Sequence, residues 1–117
     1  MSAEIIHLDN SSISTLKDSL PNQKVCEKLS NLYSMFGDAT RLKIIVALQY
    51  KEMCVNDLSN ILGINQTTVS HQLKILKHNG AVTTHRVNKY IFYKVSNQII
   101  NDIMLSGVDY ISNKFVS

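Results

Sequence analysis

Apolar residues recur every three or four positions from Gln23 onward, where Val25, Leu29, Leu32, Tyr33 and Phe36 fall on one stripe. That spacing predicts an amphipathic helix, which Gly37 stops. Asp38 then stands at an N-cap, and Ala39, Leu42, Ile45, Val46 and Leu48 give a second helix expected to lie in the core. A third apolar stretch runs from Val55 to Ile64; Ser59 is small where two helices must approach closely, Gly63 can take the left-handed conformation that ends a helix, and Ile64 plugs the turn. Asn65 caps the next helix, Gln66 to Lys77, which buries Val69, Leu73 and Leu76 and turns Gln66, Thr67, Thr68, Ser70, His71 and Lys74 outward.

After Asn79-Gly80 the helical period gives way to a run of β-branched and aromatic residues, Val82 to Val95. Asn tolerates positive φ, so a turn near Val87-Asn88 makes this run a two-stranded hairpin. Ile99, Ile100, Ile103, Met104, Val108, Ile111 and Phe115 restore the helical stripe to the end. The first residues are polar and rich in Ser and Asn up to Leu20-Pro21-Asn22, a mobile arm or a weak helix that stops before Pro21. The chain therefore divides into a flexible arm over 1–22, a helix-rich unit with a hairpin over 23–95, and a terminal helix over 96–117.

At 117 residues this is one domain with little room for a separate catalytic one. A hydrophobic content of 44% against 18% charged residues argues against wholesale disorder. There is no run of 18 apolar residues, and the start MSAEII lacks a basic, apolar leader, so a cytoplasmic protein with no membrane partner is expected. Two cysteines, Cys26 and Cys54, are too few for a disulfide framework.

Charge changes the picture locally. Between Asp57 and Asp102 there is no acid, while Lys74, Lys77, Arg86, Lys89, Lys94 and three histidines are present. The two helices from Val55 to Lys77 read as a helix-turn-helix, and the second presents amides, hydroxyls and one lysine with no carboxylate. Such a face suits a major groove, where amides and hydroxyls reach base edges and lysine reaches phosphate. Arg86 and Lys89 flank the hairpin tip, which then acts as a wing on the adjacent backbone of double-stranded DNA. The bland alternatives are a solvated helix face and an ordinary hairpin. The first and last helices each carry an apolar stripe that so small a core cannot easily cover, which points to packing across a twofold axis.

The run Phe36-Gly-Asp-Ala-Thr-Arg-Leu-Lys-Ile-Ile45, then Glu52 to Leu58, then Thr68-Val-Ser-His-Gln-Leu-Lys-Ile-Leu76, then Tyr90-Ile-Phe-Tyr93 resembles the ArsR/SmtB family of bacterial repressors. The resemblance spans about residues 23 to 115. It implies a mainly α fold with a small β-hairpin wing: a winged helix-turn-helix of about five helices and two antiparallel strands. It further implies a homodimeric repressor that binds a palindromic operator and lets go when an inducer binds. Ser70 and His71 match positions that contact DNA, and Thr84 to Phe92 match the wing.

The inducer is commonly a metal ion in such proteins, zinc being the cofactor to consider here. The positions matching the family site between C-terminal helices are Asn97, Ile99, Tyr110 and Asn113, poor zinc ligands. Cys54 and Asp57 match two positions of a second family site that joins the arm of one subunit to the other, and His7 matches a third. Ser11 is the fourth, with Asp9 or Glu4 as substitutes in the arm. Against this stands the plain reading of Cys54 as a small buried residue and Asp57 as a helix-start carboxylate. A third reading is redox or sulfur-species sensing through Cys26 and Cys54. Enzyme chemistry finds no glycine-rich phosphate loop, zinc-hydrolase histidine pair or nucleophile elbow, so no catalytic role is expected. The rival class is a winged-helix protein adaptor without DNA binding.

Overall fold

A computed structural model of the chain describes the backbone of residues 7–115 and the side chains of residues 7–113. Glu4 and the side chain of Phe115 lie outside the described residues. In order the elements are α1 (Asn10–Ser19), α2 (Gln23–Ser34), α3 (Ala39–Tyr50), α4 (Val55–Leu62), α5 (Gln66–His78), β1 (Val82–Val87), β2 (Tyr90–Val95) and α6 (Gln98–Phe115). The described residues thus hold six helices, one more than the sequence pattern predicts in its five-helix form. The chain divides into two compact units, residues 1–30 and 31–117.

In the first unit, the Asp9 side chain accepts from the Ser12 N–H at 2.7 Å and from the Ser11 hydroxyl at 3.1 Å, and so caps α1. These donors, the Ser12 side chain foremost, hold its carboxyl below the usual range. Leu20 leaves helical geometry ahead of Pro21, as the residue before a proline must, and Asn22 accepts from the Val25 N–H at 2.9 Å to start α2. Neither α1 nor α2 has a buried residue.

The second unit holds the core. Met35, Ile44, Ile45, Leu48, Leu58, Val69, Leu73, Leu76, Val82, Ile100 and Met104 are its larger members. Burying one such side chain stabilises by about 1.5–3 kcal/mol. α2 ends at Ser34, and Phe36 belongs to the tight turn that follows, its N–H donating to the Tyr33 carbonyl. Asp38 caps α3 by accepting from the Arg41 N–H at 2.9 Å. The apolar positions of α3 are too many to rank by period: Ile44 and Ala47 join Ile45 and Leu48 inside, whereas Val46, expected in the core, is 41% exposed.

Gly63, at φ 65°, ends α4, and the Ser59 hydroxyl donates across the turn to the Ile64 carbonyl. Asn65 accepts from the Thr68 N–H at 2.8 Å and starts α5 against that turn. β1 and β2 pair antiparallel from Val82↔Val95 to Val87↔Tyr90, with Asn88 at φ 56° in the tip. Met53 and Tyr93 exchange backbone hydrogen bonds at 3.1 and 2.9 Å, which fastens the hairpin to the segment between α3 and α4. α6 sends Ile100 and Met104 into the core, but Ile99, Val108 and Ile111 of the predicted stripe are 62%, 49% and 57% exposed.

Candidate nucleic-acid interface

α5 is seated by Val69, Leu73 and Leu76, all fully buried, and that fixes which residues face out. Gln66, Thr67, Ser70, His71 and Lys74 are exposed; Thr68 is half-buried, and its backbone N–H donates to the Asn65 side chain. The exposed residues form a row of short polar groups with one lysine. Gln66 does not float: its side-chain amide donates to the Asn56 side-chain oxygen Oδ1 at 2.8 Å, so α4 holds it at the start of α5.

The hairpin brings its tip to the same place. Gln66 and Asn56 line a cleft of about 300 Å³ together with Cys54, Lys89, Tyr90 and Tyr93. Lys89 and the first residue of α5 are 23 positions apart in sequence, and the fold gives them a common wall. Lys89 also lies over the Tyr90 ring, its Nζ 5.5 Å from the centroid, which restrains a side chain that would otherwise sweep freely. Arg86, opposite Ile91 in the ladder, is exposed. The outward side of α5 and the wing tip therefore carry positive charge and hydrogen-bonding groups suited to phosphate and base edges.

One carboxylate enters from outside the acid-free stretch. Glu52, just after α3, meets the His85 ring on β1 at 3.2 Å, and that ring stacks on Phe92 with centroids 5.8 Å apart. The sequence reading missed this because Glu52 and His85 are distant in the chain and only the Met53–Tyr93 pairing brings them together. It missed Arg41 as well, whose guanidinium reaches Gln72 on α5 at 3.0 Å.

The residues considered for metal or redox chemistry are less well gathered. Cys54 stands at the N-cap position of α4 without making a side-chain cap bond and is 8% exposed; Asp57 is exposed in the first turn of α4. His7 is exposed, and Asp9 is committed to capping α1. Among the described residues, no group of three His, Cys, Asp or Glu side chains is placed to hold a metal ion. Cys26 is a free, exposed thiol, whereas Cys54 is free and buried. No helix among the described residues is long and apolar enough to cross a membrane.

Comparison with known proteins agrees with this geometry. Residues 38–84, from the α3 cap into β1, match the family described as bacterial regulatory protein, arsR family. The chain is 32% identical over 108 residues to the cadmium resistance transcriptional regulatory protein CadC of Listeria innocua, covering 92% of this chain and 90% of that one. It is 32% identical over 78 residues to the arsenical resistance operon repressor of Staphylococcus aureus, covering 67% and 75%. Among solved structures, a homodimeric winged helix-turn-helix DNA-binding domain from Mycobacterium bovis superposes with a TM-score of 0.68 at 18% identity, over 97% of this chain and 94% of that one. At that identity it speaks for the fold alone.

Proposed function

Because the chain belongs to the ArsR/SmtB family of winged helix-turn-helix regulators, we propose that it acts as a homodimeric repressor reading a palindromic operator with α5 and gripping the flanking backbone with its hairpin. It is a DNA-binding transcriptional regulator, not an enzyme. The observation that carries the reading of the site is the exposed, carboxylate-free row on α5 beside a wing tip whose Lys89 shares a cleft with Gln66.

In this reading Gln66, Thr67, Thr68, Ser70 and His71 face base edges, and Lys74, Arg86 and Lys89 face phosphates. Residues 23–95 form the DNA-binding part, with 1–22 as an arm and 96–117 as a dimerisation helix. α6 leaves Ile99, Leu105, Val108 and Ile111 uncovered in its own unit, and α2 leaves Val25, Leu29 and Tyr33 exposed. A second copy covers such faces and sets two α5 helices about 34 Å apart, one turn of duplex. The cytoplasm, where the DNA lies, is its place of action.

Two relatives' names speak of cadmium and arsenical resistance, which raises a metal as inducer, but at α4 one copy offers Cys54 and Asp57, two donors where a tetrahedral zinc takes four. The donor set of one chain does not fit a closed zinc site. The redox reading gains an accessible thiol in Cys26, while burial shields the Cys54 sulfur from attack. Sedimentation of the protein with and without duplex, combined with anisotropy titration across a salt series, tests the proposal. It requires a dimer whose log affinity falls linearly with log salt. A monomer, or no binding at the lowest salt, refutes it.

A further inference from the structure

Arg41 lies in α3, half-buried, and makes three side-chain hydrogen bonds without a carboxylate partner. Nε donates to the Met35 carbonyl at 3.2 Å and Nη2 to the Ser34 carbonyl at 3.0 Å, so two arms of the guanidinium close the carboxyl end of α2. A cation there is favoured because the last carbonyls of a helix carry partial negative charge. The third arm, Nη1, donates to the Gln72 Oε1 at 3.0 Å, in the middle of α5. Gln72 is flanked in sequence by His71, which faces out, and Leu73, which is fully buried.

From this geometry we infer that Arg41 is a positioning residue for sequence reading: it fixes the rotation of α5 about its own axis from the end of α2, without touching the duplex. The inference rests on the proposal that α5 reads DNA. Val69, Leu73 and Leu76 set which face of α5 turns inward, and a forked, planar guanidinium anchored on two carbonyls adds a directional tie to that seat, because its remaining donor points one way. A side-chain tip lies about 5–6 Å from a helix axis, so a turn of about 10° displaces it by roughly 1 Å, enough to spoil a hydrogen bond to a base edge. The outward residues of α5 thereby depend on the backbone at Ser34 and Met35, and a displacement there is passed to the recognition face through one side chain.

The test compares wild type with Arg41→Lys, Gln72→Leu and Gln72→Glu. Each is titrated on the duplex that the wild type enriches from a random pool and on the unselected pool. Arg41→Lys and Gln72→Leu should each lower the ratio of the two affinities roughly tenfold, the size of one spoiled base contact, with the salt slope unchanged. Gln72→Glu keeps an acceptor for Nη1 and should retain the ratio. A wild-type ratio in Gln72→Leu overturns the inference, as does a wild-type ratio in Arg41→Lys, which keeps the charge and loses the forked geometry. Amide hydrogen exchange of residues 66–72 without DNA gives an independent reading: faster exchange in Gln72→Leu than in Gln72→Glu is required, and equal rates refute the link. If the wild type enriches no sequence, the DNA-reading proposal fails while the exchange comparison still judges Arg41.

Discussion

Removing both basic residues of the wing tip, Arg86→Ala with Lys89→Ala, gives the sharpest test of how the hairpin is used. β1 and β2 are six residues each, so the tip stands about 20 Å from the base of the hairpin. That base is fastened where the Ser96 N–H donates to the Ala81 carbonyl at 2.9 Å. Both side chains are exposed, and among the described residues neither lies within ion-pairing distance of a carboxylate. In the proposed homodimer the double variant removes four positive charges. Each phosphate contact on B-DNA contributes about 0.9 to the slope of log affinity against log salt, so the slope should become shallower by about 3 to 4. Over a fourfold rise in salt, that difference amounts to roughly 100-fold in relative affinity. Anisotropy of a labelled random duplex between about 50 and about 200 mM salt reads it directly. The reasoning is refuted by a change of slope smaller than about 1, or by a loss seen on one sequence and not on others, since phosphates carry no sequence information.

Ser70→Ala and His71→Ala should each weaken binding to the enriched duplex by about 1–3 kcal/mol while leaving the random pool nearly unchanged; equal losses on both would show that these side chains do not read bases. Asn88→Val places a β-branched residue at φ 56° and should cost about 1–2 kcal/mol in thermal unfolding, with Asn88→Gly near neutral, and a stable valine variant would mean the tip is not built this way. The Asp9 carboxyl is held low by its Ser12 and Ser11 donors, so its support of α1 is complete above the ordinary carboxylate pKa and fades as pH falls through the lowered value. Nuclear magnetic resonance shifts of residues 10–13 should follow that loss, and Asp9→Asn should abolish the acid-dependent step. Chelation with EDTA should leave the unfolding midpoint unchanged; a fall would reveal a structural metal that needs donors from a second copy.

What the sequence determined by itself was local. Asp38, Gly63, Asn65 and Asn88 each write a cap or a turn into a few neighbouring residues, because the hydrogen bonds and dihedral angles they serve lie within three or four positions. The face of α5 was legible for the same reason: Val69, Leu73 and Leu76 recur at the helical period, which leaves Ser70 and His71 outside. Where nearly every position is apolar the period carries no direction, so the exposure of Val46 and the burial of Ile44 in α3 waited on which neighbours packed against them. Tertiary structure alone decided the rest. The Glu52–His85 contact, the cleft shared by Lys89 and Gln66, and the reach of Arg41 to Gln72 join residues 23 to 33 positions apart. Single polar residues of this kind leave no periodic trace in a sequence, and they meet because the apolar core and the Met53–Tyr93 pairing hold their elements side by side.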